Sequence, residues 1–297
     1  MTTRREIFSP HPEYPPALGA LPDPPASLHV EGVLGDLRRT VAIVGTRRVD
    51  EDGVELARSL ASDLARAGCT IVSGGAAGID AAAHEGALEA GGRTVAVLAG
   101  GLDQLYPARH RDLFARIREA GALVSEHDDA VWPDKFRFLY RNRIIAALGV
   151  VTVVVQAPLR SGALSTAAWA RKLGRPVFAV PHAPWDPRGE GCLALLRAGA
   201  AVCTRARDVL VVSPLGGAEP PSVPRREIEN TSSFADLDAT SRAVLAALGA
   251  RPRYVDEITG ATGLPAATVQ RTLLALVLRA EVVERGVGRY ARAYRAG

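Results

Sequence analysis

Four short stretches of small residues, three of them with hydroxyl or guanidinium groups, suit a bound anion. They are Gly45-Thr46-Arg47-Arg48, Ser73-Gly74-Gly75-Ala76-Ala77-Gly78, Ala99-Gly100-Gly101 and Ser161-Gly162-Ala163. Small residues leave backbone N–H groups exposed, and a following helix adds its positive N-terminal dipole. One such turn is weak evidence, since glycine also serves plain tight turns. Several on one rim make an anion site.

A second group lies at Trp132–Arg143, where Lys135, Arg137, Arg141 and Arg143 alternate with Trp132, Phe136, Phe138 and Tyr140. Cations hold phosphates and rings stack on bases, so this mixture suits a single-stranded nucleic acid. The rival reading makes each aromatic a plain core residue. The triplet Arg141-Asn142-Arg143 must point at an acid, a carbonyl or a ligand wherever it is buried, because an unpaired buried charge is costly.

Other chemistries lack their residues. No G-x-G-x-x-G follows the first apolar strand, and neither Lys135 nor Lys172 sits in the Gly-Lys-Ser/Thr context of a P-loop. There is no G-x-S-x-G elbow and no H-E-x-x-H pair, so no catalytic nucleophile or metal is nominated. Asp80 and His84, four apart, read as a hydrogen-bonded pair that orients the Gly74–Gly78 turn, and no third metal ligand follows them. Cys69, Cys192 and Cys203 are too scattered for a CxxC site and read as buried reduced thiols of a cytoplasmic protein.

The elements that would position these groups follow from hydrophobic periodicity. Apolar β-branched runs recur at Val41–Val44, Thr70–Val72, Thr94–Leu98, Ala122–Val124, Val150–Val155, Val177–Val180 and Ala201–Cys203. Helical spacing fills 52–67, 76–90, 108–120, 137–148, 163–173 and 189–198 between them. This alternation predicts an α/β fold, a Rossmann-like doubly wound and mostly parallel sheet over 41–212. Ligands of such sheets bind beyond the carboxyl ends of the strands, where the four turns fall. Residues 1–40 read as an irregular lead-in packed on that domain, and 213–235 as a proline-rich linker.

Residues 236–297 predict three helices and a two-stranded ribbon around Gly286 and Gly288, the layout of a winged helix. From Ser241 onward nine arginines face four acids, a net +5, so the +4 net charge of the 297-residue chain arises there and the rest carries about −1. No run of about 20 apolar residues marks a membrane span, and the N-terminus does not read as a signal peptide.

Together these motifs resemble the DprA/Smf family of DNA-processing proteins. The matching segments are VAIVGTR (41–47), IVSGGAAGIDAAAH (71–84), TVAVLAGGLDQLYP (94–107), LVSE (123–126), RNRIIAALG (141–149), SGALSTAAWA (161–170) and RPVFAVP (175–181), in family order. The resemblance implies a non-enzymatic protein that binds single-stranded DNA without a cofactor. It also implies a homodimer through the Rossmann-like domain that protects incoming strands and loads RecA recombinase in natural transformation and recombination. By motif position its DNA contacts would be Gly45, Thr46, Arg47, Ser73, Gly74, Gly75, Gly100, Gly101, Lys135, Phe138, Arg141, Asn142, Arg143, Ser161 and Gly162. Three residues depart from the family pattern: Gln156 replaces an acid, His182 a glycine, and Gly75 a larger apolar residue.

Two rivals stand beside this reading. Nucleoside-monophosphate phosphoribohydrolases of the LOG type carry P-G-G-x-G-T-x-x-E, which falls on Ser161–Trp169. Gly162 and Thr166 match, but Trp169 replaces the catalytic glutamate. A winged-helix regulator with a ligand-sensing α/β domain is the other.

Overall fold

Strands form where apolar side chains can be buried on both faces of one sheet. In the computed structural model, which describes residues 4–212, 214–215, 238–248, 251–279, 281–285 and 288–293, these runs lie where their periodicity puts them. The chain divides into two units, Met1–Glu219 and Pro220–Gly297.

The first unit contains strands β1 (Arg4–Phe8), β2 (Ser27–Gly32), β3 (Thr40–Val44), β4 (Thr70–Ser73), β5 (Thr94–Val97), β6 (Ala122–Ser125), β7 (Val151–Val154), β8 (Val177–Ala179) and β9 (Ala201–Val202). Its helices are α1 (Glu51–Arg66), α2 (Ile79–Glu89), α3 (Arg111–Ala120), α4 (Lys135–Leu148), α5 (Gly162–Lys172), α6 (Glu190–Arg197) and α7 (Ala206–Leu210). The strands make one nine-stranded sheet in the order β1-β2-β6-β5-β4-β3-β7-β8-β9. All pairs from β6 to β9 are parallel. The strand order reverses direction between β3 and β7, which opens a crevice at their carboxyl ends.

Alternation along each strand divides the core. Val41 and Ile43 pack with α1, α2 and α7 on one face, whereas Ala42 and Val44 pack with α4 and α5 on the other. Phe114 and Ile117 of α3 close a third cluster over Ala96 and Leu123. Among the described residues no single helix is long and apolar enough to cross a membrane.

The lead-in of residues 1–40 differs from the irregular conformation its prolines suggest. β2 extends the sheet edge antiparallel to β6 and β1 pairs antiparallel with β2, with Leu28 and Val30 fully buried. Charged residues interrupt the apolar alternation of β1, where only Ile7 is buried, so its strand signal is faint. The helix expected over 76–90 begins only at Ile79, because Gly75 (φ +68°) and Gly78 (φ +84°) hold left-handed backbone before it.

The second unit comprises α8 (Ala239–Ala247), β10 (Arg253–Tyr254), α9 (Val255–Thr262), α10 (Ala266–Leu278), β11 (Val282–Glu284) and β12 (Arg289–Arg292). Val244, Leu245, Ile258, Val269, Leu273, Leu276 and Val282 form its own core. The ribbon gains a third strand, in the order β10-β12-β11. The proline-rich linker expected over 213–235 lies outside the described residues, apart from Pro214 and Leu215.

Candidate functional site

A cavity of about 310 Å³ opens at the switch point between β3 and β7. Its floor is the end of β3, Val44-Gly45-Thr46, and its walls come from α4 and the start of α5. Four arginines line it, Arg47, Arg48, Arg141 and Arg160, against one carboxylate, Asp80. Such an excess in a concave, partly dry site attracts anions.

The backbone around the cavity is occupied with holding itself together. The Thr46 amide donates to the Gln156 carbonyl at 2.7 Å, and the Arg48 amide to the Thr46 hydroxyl at 3.2 Å. The Ala76 amide donates to the Asp80 carboxylate at 3.3 Å, and the Ile79 amide to the Thr46 carbonyl at 3.3 Å. A Cβ on Gly78 would come within 2.3 Å of that carbonyl, so only glycine lets α2 begin against the β3 exit. Here the positive potential belongs to arginine side chains more than to an amide nest. The start of α5 is different: Ser161 caps it by accepting from the Ala163 amide at 3.3 Å, and Ser161, Gly162 and Ala163 all face the cavity.

Phe138 forms an aromatic wall. The Arg47 guanidinium carbon lies 4.5 Å from its ring centroid, and the Tyr106 ring meets it edge-on at 5.8 Å. Arg141 is fully buried beneath, where its Nη1 donates to the Gly74 carbonyl at 2.8 Å and to the Val97 carbonyl. Burial lowers the Arg141 pKa to about 10, so the group stays charged at neutral pH. Burial also raises the Asp80 carboxyl above the usual range, against the pull of Arg141. Asn142 donates to the Gly162 carbonyl at 3.1 Å and ties α4 to the start of α5.

Of the residues singled out by sequence, Gly45, Thr46, Arg47, Phe138, Arg141, Asn142, Ser161 and Gly162 meet at this cavity. Lys135 is exposed at the first turn of α4 and is not among the lining residues. Six others serve packing instead. The Ser73 hydroxyl donates to the Ile43 carbonyl at 2.6 Å, fully buried. Gly74 leaves room for Arg141, whose guanidinium nitrogens would lie 2.4 Å from an added Cβ. Gly75 accommodates Phe114 in the same way. Gly100 and Gly101 press against residues 128–133; a Cβ on Gly101 would meet the Asp128 carbonyl at 2.1 Å, and its amide donates to Val131 at 2.8 Å. Arg143 turns to Glu126, 2.5 Å away, and lies over the Tyr140 ring at 3.9 Å. The triplet thus follows the requirement of buried charge: Arg141 finds carbonyls, Arg143 an acid.

The Asp80–His84 pair does not form. The His84 Nδ1 bonds the Thr94 hydroxyl at 2.7 Å, while Asp80 serves the Ala76 amide. Gln156 fits its place because it faces Asp50, the cap of α1: its amide donates to that carboxylate at 3.2 Å, where an acid would repel it. Arg160 is a lining residue missed in the sequence, although a cation directly before a capped helix start was the available signal. The three cysteines are buried and free, and burial pushes the Cys192 and Cys203 thiols up to about 12.

The family model for DNA recombination-mediator protein A matches residues 5–213, which contain the cavity and all of the nine-stranded sheet except Arg4. The chain belongs to that family. A second family model, the DprA winged helix domain, matches residues 229–285. Among curated members, a DNA processing protein DprA of Mycobacterium tuberculosis is 44% identical over 87% of this chain, which spans 65% of that protein's length. Protein Smf of Escherichia coli is 38% identical over 89% of this chain and 71% of its own. Among solved members, the Streptococcus pneumoniae DprA aligns with a TM-score of 0.67 and 37% identity, covering 70% of this chain and 74% of that one. The Helicobacter pylori DprA, described for its single-stranded DNA binding mode, aligns at 0.64 and 32%, covering 71% and 97%.

Proposed function

We propose that this family member binds single-stranded DNA in the cavity between β3 and β7, without catalysis and without a cofactor. The observation that carries the reading is the pairing of four arginines with one half-buried aromatic wall, Phe138, in one concavity. Arg47, Arg48 and Arg160 would hold phosphate oxygens, with Gly162 and Ala163 at the start of α5 assisting. Phe138 would stack on a base, and Lys135 would meet the backbone at the rim. Gly45, Thr46, Arg141, Asn142 and Ser161 would shape the floor and walls. The Helicobacter pylori relative's description supports the same ligand.

The wider role we infer is protection of incoming strands and delivery to RecA recombinase in natural transformation and recombination. The protein would act in the cytoplasm as a homodimer through the Rossmann-like domain. A phosphoribohydrolase reading loses support because Trp169 does not line the cavity and Asp80, its lone carboxylate, is tied to the Ala76 amide. The test is fluorescence anisotropy with a labelled oligothymidylate and a duplex of equal length, at two salt concentrations. Tighter binding to the single strand supports the reading; equal or preferential duplex binding overturns it. RecA filament growth on coated strands, with and without the protein, tests the wider role.

A further inference from the structure

A second concavity of about 630 Å³ lies along α4 and α5, lined by Phe136, Leu139, Tyr140, Ser165 and Trp169 together with the polar His127, Asp134 and Arg137. Leu139 lines both this groove and the arginine cavity, so the two share a wall. Along α5, Gly162 faces the first cavity and Ser165 and Trp169 the second. At about 1.5 Å per residue, Trp169 lies roughly 10 Å farther down the helix.

The groove is aromatic, with cations at its edge. The Phe136 side chain is 80% exposed, an unusual cost unless something covers it. Lys172 stands 4.8 Å from the Trp169 ring, and Arg137 pairs with Asp134 at the rim. The Tyr140 ring is half-exposed and held in place, its hydroxyl bonded to Asp23 and its face covered by Arg143. Rings flanked by cations suit unpaired bases on a phosphate backbone better than an apolar protein segment.

We propose that this groove is a second base-stacking subsite for the same single strand, which passes over Leu139 from the arginine cavity onto Tyr140, Phe136 and Trp169. The inference rests on the proposed function of the first cavity. It gives the strand a path and makes affinity depend on strand length beyond the first subsite.

The experiment titrates the full chain with oligothymidylates of increasing length, comparing wild type with Trp169→Ala, Trp169→Phe and Phe136→Ala. Loss of one stacked base should weaken the long oligomers by about 5- to 150-fold and leave the shortest binding oligomer unchanged. Trp169→Phe keeps a ring and should restore most of the loss. Phe136 is exposed, so its variant reports binding without disturbing the fold. With Trp132 and Trp185 changed to Phe, Trp169 fluorescence should be quenched by long oligomers and not by short ones. Unchanged long-oligomer affinity in both alanine variants, with short oligomers still bound, overturns the subsite alone. Failure of wild type to bind any oligomer overturns the first cavity's role as well.

Discussion

Arg47 rests its guanidinium on the face of Phe138, 4.5 Å from the ring centroid, at the mouth of the arginine cavity. A cation stacked on a ring is held in place yet keeps its N–H donors for an anion. Arg47→Ala is therefore expected to weaken single-strand binding while changing stability little, since the nearby buried acid, Asp80, keeps Arg141 and the Ala76 amide beside it. The slope of log affinity against log salt should fall by roughly 0.7, the single-strand value for one phosphate contact. An unchanged slope would remove Arg47 from the interface.

Arg143 carries the opposite expectation. It is buried against Glu126, and removing one partner of a buried pair leaves an uncompensated charge. Arg143→Leu should cost about 3–5 kcal/mol in urea unfolding, with the affinity for the shortest binding oligomer per folded molecule unchanged. A stable variant that lost binding would return Arg143 to the DNA site.

These two arginines show what sequence could and could not supply. The sheet was legible almost strand by strand, because a parallel sheet covered on both faces demands continuous apolar runs. The switch-point location followed from the same alternation. Which member of a glycine turn faces the ligand was not legible, because glycine serves a close approach and an exposed amide alike. Gly74 and Gly101 are small so that Arg141 and the Asp128 carbonyl can approach. Arg141 and Arg143 are two positions apart and so point to different sides of α4, one to the cavity floor and one to Glu126. β1 gives no clear strand signal because three of its five residues are charged, Phe8 is exposed and its one buried residue, Ile7, stands alone.

Gly78 couples the cavity floor to α2. Its φ of +84° and its 2.3 Å approach to the Thr46 carbonyl exclude a side chain. Gly78→Ala should lose about 3 kcal/mol or more, from backbone strain and the displaced Thr46 turn. It should also weaken single-strand binding through Thr46 and Arg47. A loss below about 1 kcal/mol would mean that the turn relaxes freely and does not fix the floor.

His84 makes stability depend on pH. Burial lowers its pKa to about 3, with the nearby His110 and Arg141 charges acting in the same direction. In the unfolded chain an ordinary histidine titrates near 6.5. Between those values the unfolded state binds the extra proton, so stability is complete above about pH 6.5 and falls as pH drops toward 3. The slope from this residue approaches about 1.4 kcal/mol per pH unit in the middle of that window. His84→Gln, which keeps a polar partner for Thr94, should flatten the stability profile between pH 6.5 and 4. An equally steep profile in the variant would assign the acid sensitivity elsewhere.

The winged unit offers the sharpest contrast with a sequence-specific regulator. Readers of the major groove place polar side chains on the outward face of the inserted helix, where they meet base edges. The outward face of α10 instead carries Ala267, Leu274 and Leu278 beside Gln270 and Arg271, and Leu278 is 80% exposed. Because the unit has its own core, the fragment 220–297 is expected to fold alone and can be assayed directly. Its arginines should give weak, salt-sensitive attraction to any nucleic acid, with no duplex sequence preference. Competition binding against a random duplex pool measures that preference, and anisotropy compares single-strand affinity with the whole chain. The fragment should bind single strands at least about tenfold more weakly, since the arginine cavity lies wholly in the other unit. A fragment that carried nearly all the affinity, or selected one duplex sequence from the pool, would shift the function to the winged helix and leave the α/β unit as its regulator.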